Sequence, residues 1–208
     1  AMTNYLMLLG WSPGDDRQVI SLEEAAGIFE LGDMSDVQAR FDVQKLRWIN
    51  GEYIMKKSTM ELLPLIKERL EPGAFADDEE RLKKLIELYK VRIKTLNEFG
   101  ELTECFFRDD FTVDEKARAK YLDKPENRQN VRNFAEKLLE MDDFSQENIE
   151  ALCRGIADEK GLKAAGIIHP TRVAISGRTQ GAGLFEMMEI LGRDRVVGRM
   201  MKAADGKL

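Results

Sequence analysis

Residues 169–192 read HPTRVAISGRTQGAGLFEMMEILG, and the chemistry of the chain concentrates there. Leu184, Met187, Met188 and Leu191 recur at i, i+3, i+4 and i+7 with Glu186 and Glu189 between them, which predicts an amphipathic helix ended by Gly192. Just ahead of it, residues 177–183 hold Gly177, Gly181 and Gly183 together with Arg178, Thr179 and Gln180, and Arg172 lies upstream. Glycines let another backbone come close, and the first turn of a helix presents unpaired N–H donors. The same pattern also suits a plain connector between helices, so spacing alone leaves both readings open.

Helical periodicity extends outward from this stretch along the whole chain. Met2, Tyr5, Leu6 and Leu9 share one face with no cap ahead of them, which suggests a piece cut from a longer protein. Gly10 ends that helix, and Ser21 with Glu24 forms a capping box that opens a short helix through Ile28 and Phe29. Asp42 caps a helix carrying Leu46, Trp48 and Ile49, ended by Asn50-Gly51; Trp48, Tyr53 and Ile54 are expected in the core. Ser58 and Glu61 form a second box, with Pro64 inside its helix, and Pro72-Gly73 stops it. The acidic run 77–80 opens a long helix with Leu82, Leu85, Ile86, Tyr89, Ile93 and Leu96 on one stripe. Arg92 projects within about 20° of Leu85's direction, on the edge of that stripe, where a snorkelling or ion-paired arginine is the plain reading.

Thr112 with Glu115 supplies a third box, and Asp123-Lys124-Pro125 reads as a linker, a domain boundary and a helix start. Val131, Phe134, Ala135, Leu138 and Leu139 form a further stripe. Ser145 caps a helix carrying Ile149, Leu152, Ile156 and Ala157, with Cys153 beside the stripe and Gly161 at its end. Apart from a short strand-like run at 173–175, nothing alternates with period two, and His169 before Pro170 is read as fixing a turn. The fold class is therefore all-α, with helical bundles in tandem.

Composition narrows the function. The 208 residues suit one or two domains, 43% are hydrophobic, and no run approaches the apolar length that spans a bilayer, so a membrane role is not expected. Cys105 and Cys153 form no close motif and read as reduced thiols of a cytoplasmic protein. The net charge of −6 disfavours nucleic acid, yet residues 169–208 carry seven Lys/Arg against four Asp/Glu, a basic bias on the segment that holds the motif.

"HPTRVAISGRTQGAGLFEMMEILG" resembles the signature of the C-terminal anticodon-binding region of bacterial glutamyl-tRNA synthetases. "NYLMLLGWSPGDD" at 4–16 and "FDVQKLRWINGEYI" at 41–54 are similar to further segments of that family, in the same order. The resemblance implies class I synthetase anticodon-binding architecture: 1–57 as the remainder of the stem-contact region, and 58–124 and 125–208 as two helical anticodon-binding subdomains. It implies a tRNA-Glu partner, with Arg172, Thr179, Gly181, Gly183 and Leu184 around the first two anticodon bases and Arg92 reading the third. It also implies a monomer that works beside its own N-terminal catalytic domain, where ATP and Mg would act.

The catalytic parts of that family are not expected in this stretch. A class I adenylate site needs a "HIGH" motif, and the chain has one histidine, His169. Lys56-Lys57-Ser58-Thr59 comes after the "FDVQKL" segment, whereas the family's lysine loop comes before it, so it reads as a helix cap. One histidine and two distant cysteines give no metal cluster, and no phosphate-binding or dinucleotide fingerprint is present. No catalytic residue, metal or cofactor is assigned to these residues. Parent glutamate-tRNA ligase activity and an inactive isolated chain are expected, and an all-α protein-protein interaction module is the alternative.

Overall fold

The computed structural model describes residues 1–34, 40–71 and 73–208. Among these are thirteen α-helices and one 3₁₀ turn, and no β-strand; the single isolated bridge pairs Trp11 with Met34. The chain divides into two compact units, Ala1–Pro72 with Tyr89–Glu101, and Gly73–Leu88 with Leu102–Leu208. Pro72, read above as a helix stop, lies outside the described residues.

The first unit opens with α1 (Met2–Gly10), α2 (Leu22–Ile28), a 3₁₀ turn (Leu31–Asp33), α3 (Val43–Lys56) and α4 (Thr59–Lys67). Asn4 on α1 is its polar centre and is 2% exposed. Its amide donates to the Gln18 carbonyl at 3.1 Å, and its oxygen accepts from the Ile20 N–H at 3.0 Å and from the Tyr53 hydroxyl at 3.1 Å. One buried amide thus satisfies groups from α1, the following loop and α3, as a buried polar side chain must. Asp42 caps α3 as expected, accepting from Gln44 N–H at 2.8 Å and Lys45 N–H at 3.2 Å. Ser58 and Glu61 complete a reciprocal capping box on α4, which tolerates Pro64 in its interior and ends at Lys67.

Several expectations for this unit are corrected. Asn50-Gly51 does not end α3; the helix runs on to Lys56. Asn50 instead donates its side-chain amide to the Lys94 carbonyl at 2.6 Å, and a Cβ on Gly51 would stand 2.5 Å from the Lys94 side chain. The pair that reads locally as a stop is a contact site for a distant segment. Trp48 is 41% exposed, outside the core, whereas Ile54 is buried and Tyr53 half-buried. Ser21 accepts from the Glu24 N–H at 3.1 Å, but Glu24 turns its carboxylate to Arg17, so only half of that box forms.

The single long helix expected after 77–80 is two. α5 (Ala74–Asp77) is a short turn, α6 (Glu79–Lys90) follows with Asp78 accepting from the Arg81 N–H at 3.1 Å, and α7 (Leu96–Phe107) begins after a break at 91–95. At the break the Arg92 N–H bonds back to the Tyr89 carbonyl at 2.8 Å, and the Lys94 N–H donates to Glu98 Oε2 at 2.7 Å, which ties the turn to the start of the new helix. Ile93 remains buried, so the apolar rhythm survives across a break that rhythm cannot reveal. The boundary between the two units falls within α6 and within α7.

The second unit adds α8 (Glu115–Tyr121), α9 (Pro125–Leu139), α10 (Gln146–Glu159), α11 (Ala165–Ser176), α12 (Leu184–Leu191) and α13 (Arg193–Ala204). α9 starts with Pro125 at its first position, where the missing N–H is no loss, and buries Val131, Phe134, Ala135 and Leu138 against α11 and α13. Leu139, on the same predicted stripe, is exposed. Asp114, two residues after the expected Thr112, caps α8 by accepting from the Ala117 N–H at 2.7 Å. Ser145 sits at the N-cap of α10 but donates to Asp143; the Gln146 N–H is taken at 2.9 Å by Glu189 of α12, which also pairs with Lys84. Cys105 and Cys153 are free and buried, and burial pushes both thiols up to about 11.

Candidate nucleic-acid interface

The glycine loop is held between two helices of the second unit. α11 absorbs both His169 and Pro170, correcting the expected turn at 169–170 and the strand-like run at 173–175. Val173, Ala174 and Ile175 are buried because they lie inside the unit, which is why three consecutive apolar residues imitate a buried strand. The helix ends at Gly177 (φ 70°), whose N–H bonds to the Val173 carbonyl at 2.8 Å. A Cβ there would lie 2.2 Å from the Thr112 carbonyl oxygen, and the Gly177 carbonyl accepts from the Asp114 N–H at 2.9 Å. Left-handed backbone and close approach together require glycine.

From Gly177 the loop passes through half-buried Arg178 to exposed Thr179, Gln180 and Gly181, then returns inward at buried Ala182. α12 begins at Leu184, with Gly183 as its N-cap and the Glu186 carboxylate folded over it, so that a Cβ on Gly183 would meet that carboxylate at 1.8 Å. Half-buried Arg172 reaches from α11 and donates from Nη1 to the Ala182 carbonyl at 2.6 Å, with the Met187 sulfur 3.7 Å from the same nitrogen.

The sequence-predicted residues therefore have different standing. Arg172, Thr179, Gly181 and Gly183 are gathered on or directly under one exposed loop. Leu184 is 3% exposed and is the first residue of α12, where that loop ends. Arg92 belongs to the other compact unit; it is exposed and lies in the turn at 91–95, not on a helical stripe, so the snorkelling geometry read from periodicity does not apply.

Arg199 was not singled out by the sequence reading. It is 5% exposed, lies 4.6 Å from the Phe111 ring centre, and donates to the carbonyls of Ile175 and Arg108 at 2.8 and 2.9 Å and to Asp109 at 2.8 Å. Arg195 adds the Phe106 carbonyl at 2.6 Å and Asp109 at 3.1 Å. The two arginines satisfy carbonyls in the last turn of α7 (Phe106) and just past it (Arg108), and tie that segment to α13 and to the end of α11, where the glycine loop starts. Hydrogen bonding from Arg199 holds the Asp109 carboxyl below the usual range, while burial lowers the Arg199 value. The available signal was position: Val196, Arg199, Met200 and Ala203 fall at i, i+3, i+4 and i+7.

Chemically, the loop can offer backbone groups, one hydroxyl and an amide to a flat polar ligand, with guanidinium groups beside them. Among the described residues no group of three His, Cys, Asp or Glu side chains is arranged to hold a metal ion, and no helix is long and apolar enough to cross a membrane.

The chain is 42% identical over 210 residues to glutamate-tRNA ligase 2 of Caldicellulosiruptor saccharolyticus and 36% identical over 210 residues to the glutamate-tRNA ligase of Moorella thermoacetica. These alignments cover 99% and 98% of the chain and 43% of each relative, so the chain spans less than half the length of the curated relatives it matches. The crystal structure of a glutamate-tRNA ligase from Elizabethkingia meningosepticum superposes with a TM-score of 0.88 at 27% identity, covering all of this chain and 41% of that one. The anticodon binding domain model matches residues 51–204, a span that includes both Arg92 and the entire glycine loop, and the chain belongs to that family.

Proposed function

We propose that this chain is the tRNA-binding part of a glutamate-tRNA ligase, and that it reads the anticodon of tRNA-Glu. The observation that carries the proposal is the exposed loop at 178–183, braced from beneath by Arg172. Splayed anticodon bases can be met there by Thr179, by the backbone at Gly181 and Gly183, and by the Arg172 guanidinium, with Leu184 where the loop ends. Arg92, in its exposed turn, suits the third base: two parallel N–H donors match the acceptor edge of a cytosine, whereas a guanine offers donors to donors.

Glutamylation itself, with ATP and Mg, is proposed for the longer protein and assigned to residues outside these 208. The three segments 1–57, 58–124 and 125–208 are kept as stem-contact remainder and two anticodon-binding subdomains. A surface feature supports a role beside a catalytic part: all but two of the large apolar side chains exposed among the described residues, Leu139 and Leu162 being the two, belong to the first unit. Met7, Trp11, Ala25, Phe29 and Met34 there line an apolar cavity of about 480 Å³. A monomeric, cytoplasmic protein is proposed with it.

The test is binding of tRNA-Glu transcripts to the 208-residue chain between about 50 and 200 mM salt, beside transcripts with altered anticodons. Salt-sensitive binding that weakens when the anticodon is changed supports the proposal. Absence of binding at low salt overturns it in favour of a protein-interaction module.

A further inference from the structure

The Lys120 ammonium stands 5.0 Å from the centre of the Tyr121 ring, and that ring stands 5.3 Å from the His169 imidazole at an interplanar angle of 30°. The three groups form a short ladder from α8 to α11. These helices run antiparallel side by side: Asp114 at the start of α8 meets Gly177 at the end of α11, and Tyr121 at the end of α8 meets His169 in the middle of α11. At 1.5 Å per residue, the ladder lies about 11 Å along the seam from the glycine loop.

Lys116 and Lys120 sit one turn apart on the same stripe of α8, and both are exposed. Neither has a carboxylate partner among the described residues. Acidic groups nearby are occupied: Asp114 caps α8, and Asp123 pairs with Arg118 and Arg128 at 3.8 and 3.3 Å. Glu115 lies on a neighbouring stripe of the short helix. The seam therefore combines two uncompensated ammonium groups with a half-buried aromatic pair, beside the loop to which bases are assigned. Ammonium groups placed to neutralise phosphates, interleaved with ring faces, are what a protein uses to follow a nucleic-acid strand without reading its sequence. The exposed residues of α8, Glu115, Lys116, Arg118, Ala119 and Lys120, include three cations against one carboxylate and no large apolar side chain with which to bury a protein partner.

We infer that the α8–α11 seam, through Lys116, Lys120 and the Tyr121–His169 pair, is a phosphate-backbone contact surface for the RNA whose bases occupy the 178–183 loop. The inference rests on the tRNA reading above. Its effect is on affinity and salt dependence, and base choice stays with the loop.

The experiment measures fluorescence anisotropy of a labelled tRNA-Glu transcript with the 208-residue chain across the same salt range. The chain is compared with Lys116→Ala/Lys120→Ala and with Lys116→Arg/Lys120→Arg. Each lost phosphate contact lowers the slope of log K against log salt by about 0.7 to 0.9, so the alanine pair is expected to lose about 1.4 to 1.8 and the arginine pair to retain the slope. The ratio of affinities for matched and altered anticodons is expected to stay constant, and the thermal midpoint of the alanine pair to match that of the unmodified chain. An unchanged slope in the alanine pair, with the unmodified chain salt-sensitive, overturns the inference and leaves the tRNA reading intact. A collapsed anticodon ratio also overturns it, because the lysines would then act through the loop. If the unmodified chain binds no tRNA, both readings fall.

Discussion

The guanidinium of Arg172 donates to the carbonyl oxygen of Ala182 at 2.6 Å, so an arginine of α11 fixes the far end of the loop that leaves that helix. The loop is thus tied at both ends, by Gly177 against Thr112 and Asp114 and by Arg172 against Ala182. A preorganised loop gives up less conformational freedom when it meets a ligand. Arg172→Ala is expected to weaken tRNA-Glu binding by about 1 to 3 kcal/mol and to speed amide hydrogen exchange across 178–183. Unchanged binding and exchange in a folded variant would return Arg172 to the ordinary surface charges.

Arg92 occupies an exposed turn, so its replacement leaves little buried structure behind. Arg92→Gln is expected to lower the ratio of tRNA-Glu to tRNA-Gln affinity by about 1 to 3 kcal/mol equivalent, with the unfolding midpoint essentially unmoved. Equal binding of both tRNAs by the unmodified chain, or a large ratio that survives the substitution, defeats the specificity argument.

Arg199 is the opposite case. Arg199→Ala leaves the carbonyls of Ile175 and Arg108 without their donor, and the expected loss is about 1 to 3 kcal/mol of folding stability, read as a lower urea midpoint at constant slope. Arg199→Lys is expected to recover only part of it, since one ammonium cannot reproduce a planar fork with separated acceptors. A wild-type midpoint for the alanine variant would refute this bracing role.

Glu61 gives a pH signature. Donation from the Ser58 backbone N–H, followed by Lys57 and the Ser58 hydroxyl, lowers its carboxyl from the ordinary 4.5 to about 2. Because the folded value is depressed, the capping contribution is present above about 4.5 and is lost as pH falls toward about 2. NMR titration of Glu61 should place its midpoint near 2, and Glu61→Gln should remove this part of the acid dependence of α4. A midpoint near 4.5 would show that the box does not hold in solution.

Much of the helical layout is legible because it depends on neighbours within four residues. Ser58 with Glu61, Asp42, Pro125, the stripes of α10 and α12 and, except for exposed Leu139, that of α9 appear where local pattern puts them. The same locality explains the misreadings: Asn50-Gly51 imitates a stop, 173–175 imitates a strand, and the rhythm from Leu82 to Leu96 conceals the break that puts Arg92 in a turn. An arginine on an apolar stripe is a sound signal of a buried guanidinium; it applies at Arg199, whereas Arg92 is exposed because α6 has already ended at Lys90.

The sequence by itself determined the all-helical class, the caps at Asp42 and at Ser58 with Glu61, the position of the glycine loop and the motifs that point to an anticodon-binding family, since each is written in short spacings. The tertiary structure decided which of those residues act together. Arg172 finds Ala182 ten residues on, Gln146 is capped by Glu189 at a separation of 43, and the acceptors of Arg199 are 24 to 91 residues away. Those pairings arise only when helices bury their apolar stripes against one another, because burial strips water from N–H and C=O groups and obliges each to find whatever partner the packing brings near.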